Sequence, residues 1–135
     1  MDNFKVNLEK WYFHNNEKDC DYLFNLVKTK VKTATSYLYI KKEDLNLTTK
    51  YSILTNWDES EEILLKTTKI YKTKFKDITK IHAFKEGEGD KTLSYYKKVH
   101  EEFFKKECDK LNIKFDKNTE IVCEEFEIVN NKKIS

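Results

Sequence analysis

With 135 residues, of which 39% are hydrophobic and 14% aromatic, the chain is sized for one domain and is too rich in core-forming side chains for a disordered tail. Its 26 basic and 24 acidic residues leave a formal charge of only +2, which excludes a protein devoted to coating nucleic acid but not a local basic face. Every basic residue is a lysine, so phosphate can be met by point charges but not by the planar fork of a guanidinium.

In chain order, the spacing of Cys20, Leu23, Phe24 and Val27 predicts a helix over Asp19 to Lys28. Thr33 to Ile40, Tyr51 to Thr55 and Ile63 to Tyr71 are rich in β-branched and aromatic residues and read as strands. Asn56, Asp58, Glu59 and Ser60 form the turn between the last two. A short helix is expected near Asp77 to His82. It is followed by the chain's only two glycines, Gly87 and Gly89, in the run Lys85-Glu86-Gly87-Glu88-Gly89-Asp90. Glycine serves positive φ or close backbone approach, so this loop is the most informative local feature. Leu93, Tyr96, His100, Phe103, Phe104 and Leu111 then recur at three- and four-residue steps. They predict a helix from Lys91 to Leu111, with Asp90 as its N-cap. Glu120 to Val129 reads as a final strand, with Val122, Phe126 and Ile128 on one face and Glu125 and Glu127 on the other. This order is that of an α+β fold with a mainly antiparallel sheet.

Cys20, Cys108 and Cys123 are odd in number and widely spaced, which indicates neither a zinc knuckle nor a disulfide framework. Reduced thiols are expected. The sequence offers no apolar signal core and no run of about 20 apolar residues, so a cytoplasmic protein without membrane contact is expected.

Two segments resemble the ASCH domain, a relative of the PUA domain. The first is Lys32-Thr33-Ala34-Thr35-Ser36, similar to the family's Lys-Thr-Ala-Thr-Ser block at the start of the first barrel strand. The second is Glu86-Gly87-Glu88-Gly89-Asp90 followed by Leu93, Tyr96, His100, Glu101, Glu102, Phe103 and Phe104, similar to the family's acidic glycine loop and the helix after it. Val122-Cys123-Glu124-Glu125-Phe126 fits the family's last strand. The resemblance runs from about Phe13 to Val129 and implies a single ASCH domain over residues 1–135, built as a PUA-like half-open β-barrel with flanking helices. The sequence departs from the family at three places: Lys30 stands where a Gly is usual, Phe13-His14 replaces a Phe-Gly, and Tyr96 replaces a Trp.

Proteins similar in this way include small amidohydrolases that remove the acetyl group from N4-acetylcytidine with a Lys, a Thr and a Glu. By motif position the resemblance assigns the first two to Lys32 and Thr35, and the third to Glu86 or, with a different loop length, Glu88. Ser36, Tyr37 and Glu88 are expected on the substrate side of the same cleft. Other relatives bind or cut RNA, so three readings stand: an amidohydrolase, a non-catalytic RNA-binding module, and a ribonuclease. The ligand is a nucleoside or RNA in each, with no cofactor and no metal; the sequence leaves the oligomeric state open.

Amide hydrolysis needs a nucleophile, a base and a donor for the developing oxyanion. Lys32 can be the base only if its pKa falls, whereas a neighbouring carboxylate holds it protonated. Its role as base or as oxyanion stabiliser therefore stays open at this stage. In a flat strand Lys32 and Thr35 lie on opposite faces, so their convergence requires Lys32 in a turn before the strand. Asp90 reads as a charge at a helix N-terminus, and His100 as a structural histidine on the apolar helix face. Tyr37, Tyr39 and Trp57 could stack on bases but more commonly pack. Lys66, Lys69, Lys72, Lys74 and Lys76 read as a solvated strand face.

Overall fold

The computed structural model describes residues 8–14, 16–45 and 50–129. Its regular elements are β1 (Glu9–Trp11), α1 (Glu17–Lys28), β2 (Ala34–Leu38), β3 (Lys50–Thr55), β4 (Glu62–Lys74), α2 (Lys80–Glu86), α3 (Leu93–Lys110) and β5 (Glu120–Ile128). Short 3₁₀ turns lie at Lys42–Leu45 and Phe75–Asp77. The strands form one sheet in the order β1-β3-β4-β5-β2. β1 joins β3 in parallel, and the remaining pairs are antiparallel. A register shift between Thr67 and Lys69 breaks the long β4–β5 ladder, as a bulge does where a sheet bends. The sheet curls into a half-open barrel. Among the described residues no helix is long and apolar enough to cross a membrane.

Each face of the sheet is covered by helix. On one, Leu54, Leu65 and Phe126 pack with Phe13 against Cys20, Leu23, Phe24 and Val27 of α1. On the other, Leu38, Ile121 and Cys123 pack against Phe75 and Ile78, Ala83 of α2, and Tyr96, Phe104 and Cys108 of α3. Phe24 and Phe104 are fully buried, and each contributes about 2–3 kcal/mol by leaving water. All three cysteines are buried free thiols.

The structure revises several sequence expectations. The region near Asp77 to His82 divides into a 3₁₀ turn and α2, whose N-cap Thr79 accepts from the His82 amide. The long helix starts at Leu93 rather than Lys91, because Thr92 takes the capping position and accepts from the Tyr95 amide. Asp90 instead supports the cap, accepting from the Thr92 hydroxyl at 2.6 Å. β5 lies inside the sheet, so four consecutive residues, Ile121 to Glu124, are buried and simple alternation fails. β1 was not anticipated. The five lysines of β4 and the following turn form no single stripe, since the bulge changes which face they take. Lys66 and Lys69 stand opposite Glu127 and Glu125, and Lys72 pairs with Glu120 at 3.2 Å.

Candidate functional site

The chain reaches the site through the end of α1. Beyond its C-cap Thr29, the Lys30 amide donates to the Val27 carbonyl and the Val31 amide to the Leu26 carbonyl, the paired bonds of a Schellman motif. That motif needs a left-handed residue at position 30, and Lys30 supplies it at φ 66°. The turn sends Lys32 inward before β2 begins at Ala34, so the lysine is not bound by the strand's alternation. This is the bend that convergence with Thr35 requires.

Opposite, α2 ends at Glu86 and Gly87 closes it at φ 71°. A Cβ on Gly87 would lie 2.4 Å from the Val31 carbonyl oxygen, so two main chains abut there with no room for a side chain. The Thr33 amide donates to the Lys85 carbonyl at 2.7 Å and fixes the same junction.

These two backbone segments place Lys32 Nζ 2.8 Å from Glu86 Oε1 and 2.7 Å from Glu88 Oε2. Both expected carboxylates therefore hold the lysine, which is only 2% exposed. Burial opposes the ammonium charge, but Glu86 and Glu88 outweigh it and raise the Lys32 pKa above its ordinary value. Burial likewise opposes ionisation of Glu86. The Lys32 charge, the His82 hydrogen bond and the nearby histidines overcome this and hold its carboxyl well below the usual range. The pair is thus an ammonium with carboxylates, not a neutral amine. On its other oxygen, Glu86 accepts from the Ser36 hydroxyl at 2.7 Å and lies 2.7 Å from His82 Nε2. The Tyr96 hydroxyl lies 2.7 Å from Ser36 Oγ, which extends the chain of polar contacts into α3.

A cleft of about 90 Å³ opens over this cluster, and Lys32, Thr35, Ser36, Glu86, Glu88 and His100 supply its polar lining. Phe13 and Leu23 wall it from the α1 side, and Val99 and Phe103 from α3. Walls from both faces of the sheet meet here because β2 is an edge strand. Toward β5, the Thr33 carbonyl accepts from the Phe126 amide and the Tyr39 amide donates to the Glu120 carbonyl. By antiparallel alternation the amides and carbonyls of Ala34, Ser36 and Leu38 point away from β5, and all three residues are buried.

Of the sequence-predicted residues, Lys32, Thr35, Ser36, Glu86 and Glu88 converge on the cleft, and Tyr37 does not line it. Tyr37 shares the face of Thr35 but lies farther along β2, where its hydroxyl donates to Glu124 at 2.9 Å and burial pushes its pKa up. Glu124, which the sequence left unplaced, is buried and also accepts from Thr67 at 2.9 Å. Tyr39 lies under Lys72, and Trp57 meets the edge of Tyr12, so both are engaged in packing. The hydroxyls of the block differ in a way the sequence hides. Ser36 is occupied by Glu86 and Tyr96, whereas among the described residues no hydrogen bond engages the Thr35 hydroxyl. His100 is both packed, stacked on Tyr96, and part of the cleft lining.

Glu86, Glu88 and His100 present donor atoms within 4.8 Å of one another. The Lys32 ammonium already bridges the two carboxylates, so a metal ion would have to displace a buried cation, and the set does not fit one.

A family model described as the ASCH domain matches residues 9–130. The crystal structure of an ASCH domain from Lactobacillus crispatus is similar at a TM-score of 0.83 and 27% identity, covering 93% of this chain and 82% of that one. A protein from Enterococcus faecalis is similar at a TM-score of 0.80 and 25% identity, covering 94% of this chain and 81% of that one. A hypothetical protein with a TM-score of 0.57 and 20% identity, covering 89% of this chain and 99% of its own, agrees in fold alone. No curated protein matches the chain.

Proposed function

The chain belongs to the ASCH domain family, and on that premise we propose that it hydrolyses the exocyclic amide of an N4-acylated cytidine. The observation that carries this reading is the buried Lys32 ammonium, held by Glu86 and Glu88 at the floor of a cleft whose other wall offers the unengaged Thr35 hydroxyl. In it the Thr35 oxygen attacks the acyl carbon, and the carbonyl's electron pair moves to oxygen. The fixed positive charge of Lys32 stabilises that oxyanion. Collapse breaks the C–N bond and leaves an acyl-threonine, which water hydrolyses.

Cleft size supports a nucleoside ligand. About 90 Å³ accommodates a planar base or its acyl group but not a stretch of polynucleotide. The lysines of β4, largely matched by β5 glutamates, supply no continuous track for a phosphate backbone.

The test is incubation of the protein with N4-acetylcytidine, with release of cytidine and acetate followed by chromatography. Turnover is expected in the wild type and should fall at least about 100- to 1,000-fold in Lys32→Ala, Glu86→Ala and Thr35→Val. Thr35→Val is the variant least prone to folding defects, since it removes only an unengaged hydroxyl. No turnover at high enzyme concentration, with salt-sensitive retention of RNA in a gel shift, would replace this reading with an RNA-binding or RNA-cleaving one.

A further inference from the structure

The proposed reaction needs a proton acceptor for Thr35, and Lys32 cannot serve while two carboxylates hold it as a cation. We infer that His100 is the base of the cleft, taking the Thr35 proton on Nε2. The inference rests on the amidohydrolase reading and assigns it a residue outside the lysine, threonine and glutamate.

The tautomer follows from one contact. His100 Nδ1 lies 3.1 Å from the Tyr96 backbone oxygen. A carbonyl only accepts, so Nδ1 carries the hydrogen, and the neutral ring keeps its lone pair on Nε2. The ring cannot easily turn away, because it stacks on Tyr96 at 3.9 Å and 13° and rests against Phe104 at 5.6 Å. Nε2 stands 3.8 Å from Glu86 Oε1, too far for a hydrogen bond. The charged and titratable groups around the ring are Lys32 from the turn before β2, Glu86 from α2, Glu88 from the loop, and Tyr96 on its own helix.

The other acceptors are poorer. His82 Nε2 is spent on Glu86, and the residue does not line the cleft. Glu86 and Glu88 are both ion-paired to Lys32, and a carboxylate is a weaker base than an imidazole. An imidazole lone pair matches the task.

The proton balance is then complete. His100 Nε2 takes the Thr35 hydrogen as the Oγ–C bond forms, and returns it to the departing N4 amine as the C–N bond breaks. In the second half it takes a proton from the attacking water and gives it back to Thr35 Oγ. The sum is one amide and one water converted to one carboxylic acid and one amine.

Two measurements on the same protein test this. Nitrogen-15 long-range NMR of the histidine rings at neutral pH should show His100 protonated at Nδ1 and bare at Nε2; the opposite tautomer overturns the inference without any substrate. Rates on N4-acetylcytidine should show kcat falling about 100- to 10,000-fold in His100→Gln and His100→Asn, with KM changed only a few-fold. Wild-type turnover with a His100→Gln rate within a few-fold of it would overturn the role of His100 and leave the amidohydrolase standing. Absence of wild-type turnover would overturn both.

Discussion

Lys30 carries a φ of 66° at the residue after the C-cap of α1. A left-handed conformation costs an L-residue about 1–2 kcal/mol relative to a right-handed one, and glycine escapes it. Part of that gain is lost because glycine is freer in the unfolded chain. Lys30→Gly is therefore expected to stabilise by roughly 0.5–1 kcal/mol and to raise the melting temperature by about 2–4 °C. Calorimetry checks this, and a lower melting temperature would mean that the Lys30 side chain stabilises the fold. The resemblance already marked this position as one where a glycine is expected; the structure shows the left-handed geometry that glycine favours, taken by a lysine. Lys32, Thr35 and Glu86 were likewise legible, because the motif blocks carry them. The division of labour between Thr35 and Ser36 was not, since it depends on which hydroxyl Glu86 and Tyr96 occupy. Nor was the part His100 plays in the cleft, for a helix face that packs on one side and opens on the other gives a single periodic signal.

At the level of elements, the two glycines of the acidic loop are not equivalent. Gly87 ends α2 with its missing Cβ aimed at the Val31 backbone, at 2.4 Å from the oxygen and 2.8 Å from the carbon. Main chain cannot step aside, and φ is 71°. Gly89 also has positive φ, at 57°, but its Cβ would meet the Tyr95 ring, a side chain that can swing away. Gly87→Ala should therefore cost several kcal/mol, on the order of the larger single-substitution effects, and Gly89→Ala about 1–2 kcal/mol. Urea midpoints of the two variants check the order, and equal costs would show that the Val31 contact yields. From sequence, the glycine pair announced a loop, but only the packing tells which glycine is sterically required. The same holds for the cap of α3: Asp90 and Thr92 are both good capping residues, and Thr92 prevails because Asp90 holds its hydroxyl in place. The strand β5 and its two faces were legible, but not that Ile121 and Cys123 are buried as well, because an interior strand buries both faces.

Over the whole molecule, the buried cluster makes stability depend on pH from both sides. Glu86 ionises more readily folded than unfolded, so its contribution is present above the unfolded value of about 4.3 and is lost as pH falls toward the lower folded value. Lys32 has a raised pKa when folded, so its contribution is full below about 10.4 and is lost as pH rises through the raised value. Urea midpoints should therefore hold a plateau between about pH 5 and 10 and fall on either side. Glu86→Gln should be destabilised by about 3–5 kcal/mol on the plateau, with a shallower acid limb. An unchanged acid limb in that variant would place the acid sensitivity elsewhere. The contact between Gly87 and the Val31 backbone has a consequence for how such a protein can diverge. The lysine and its carboxylate are set by main chain against main chain, while Leu23, Val99 and Phe103 only wall the cleft. Substitutions among those three can reshape what enters without loosening the charged floor. The cleft's shape and its charged floor are thus free to evolve on separate schedules, and a library varied at these three positions is a natural place to look for changes in what the cleft admits.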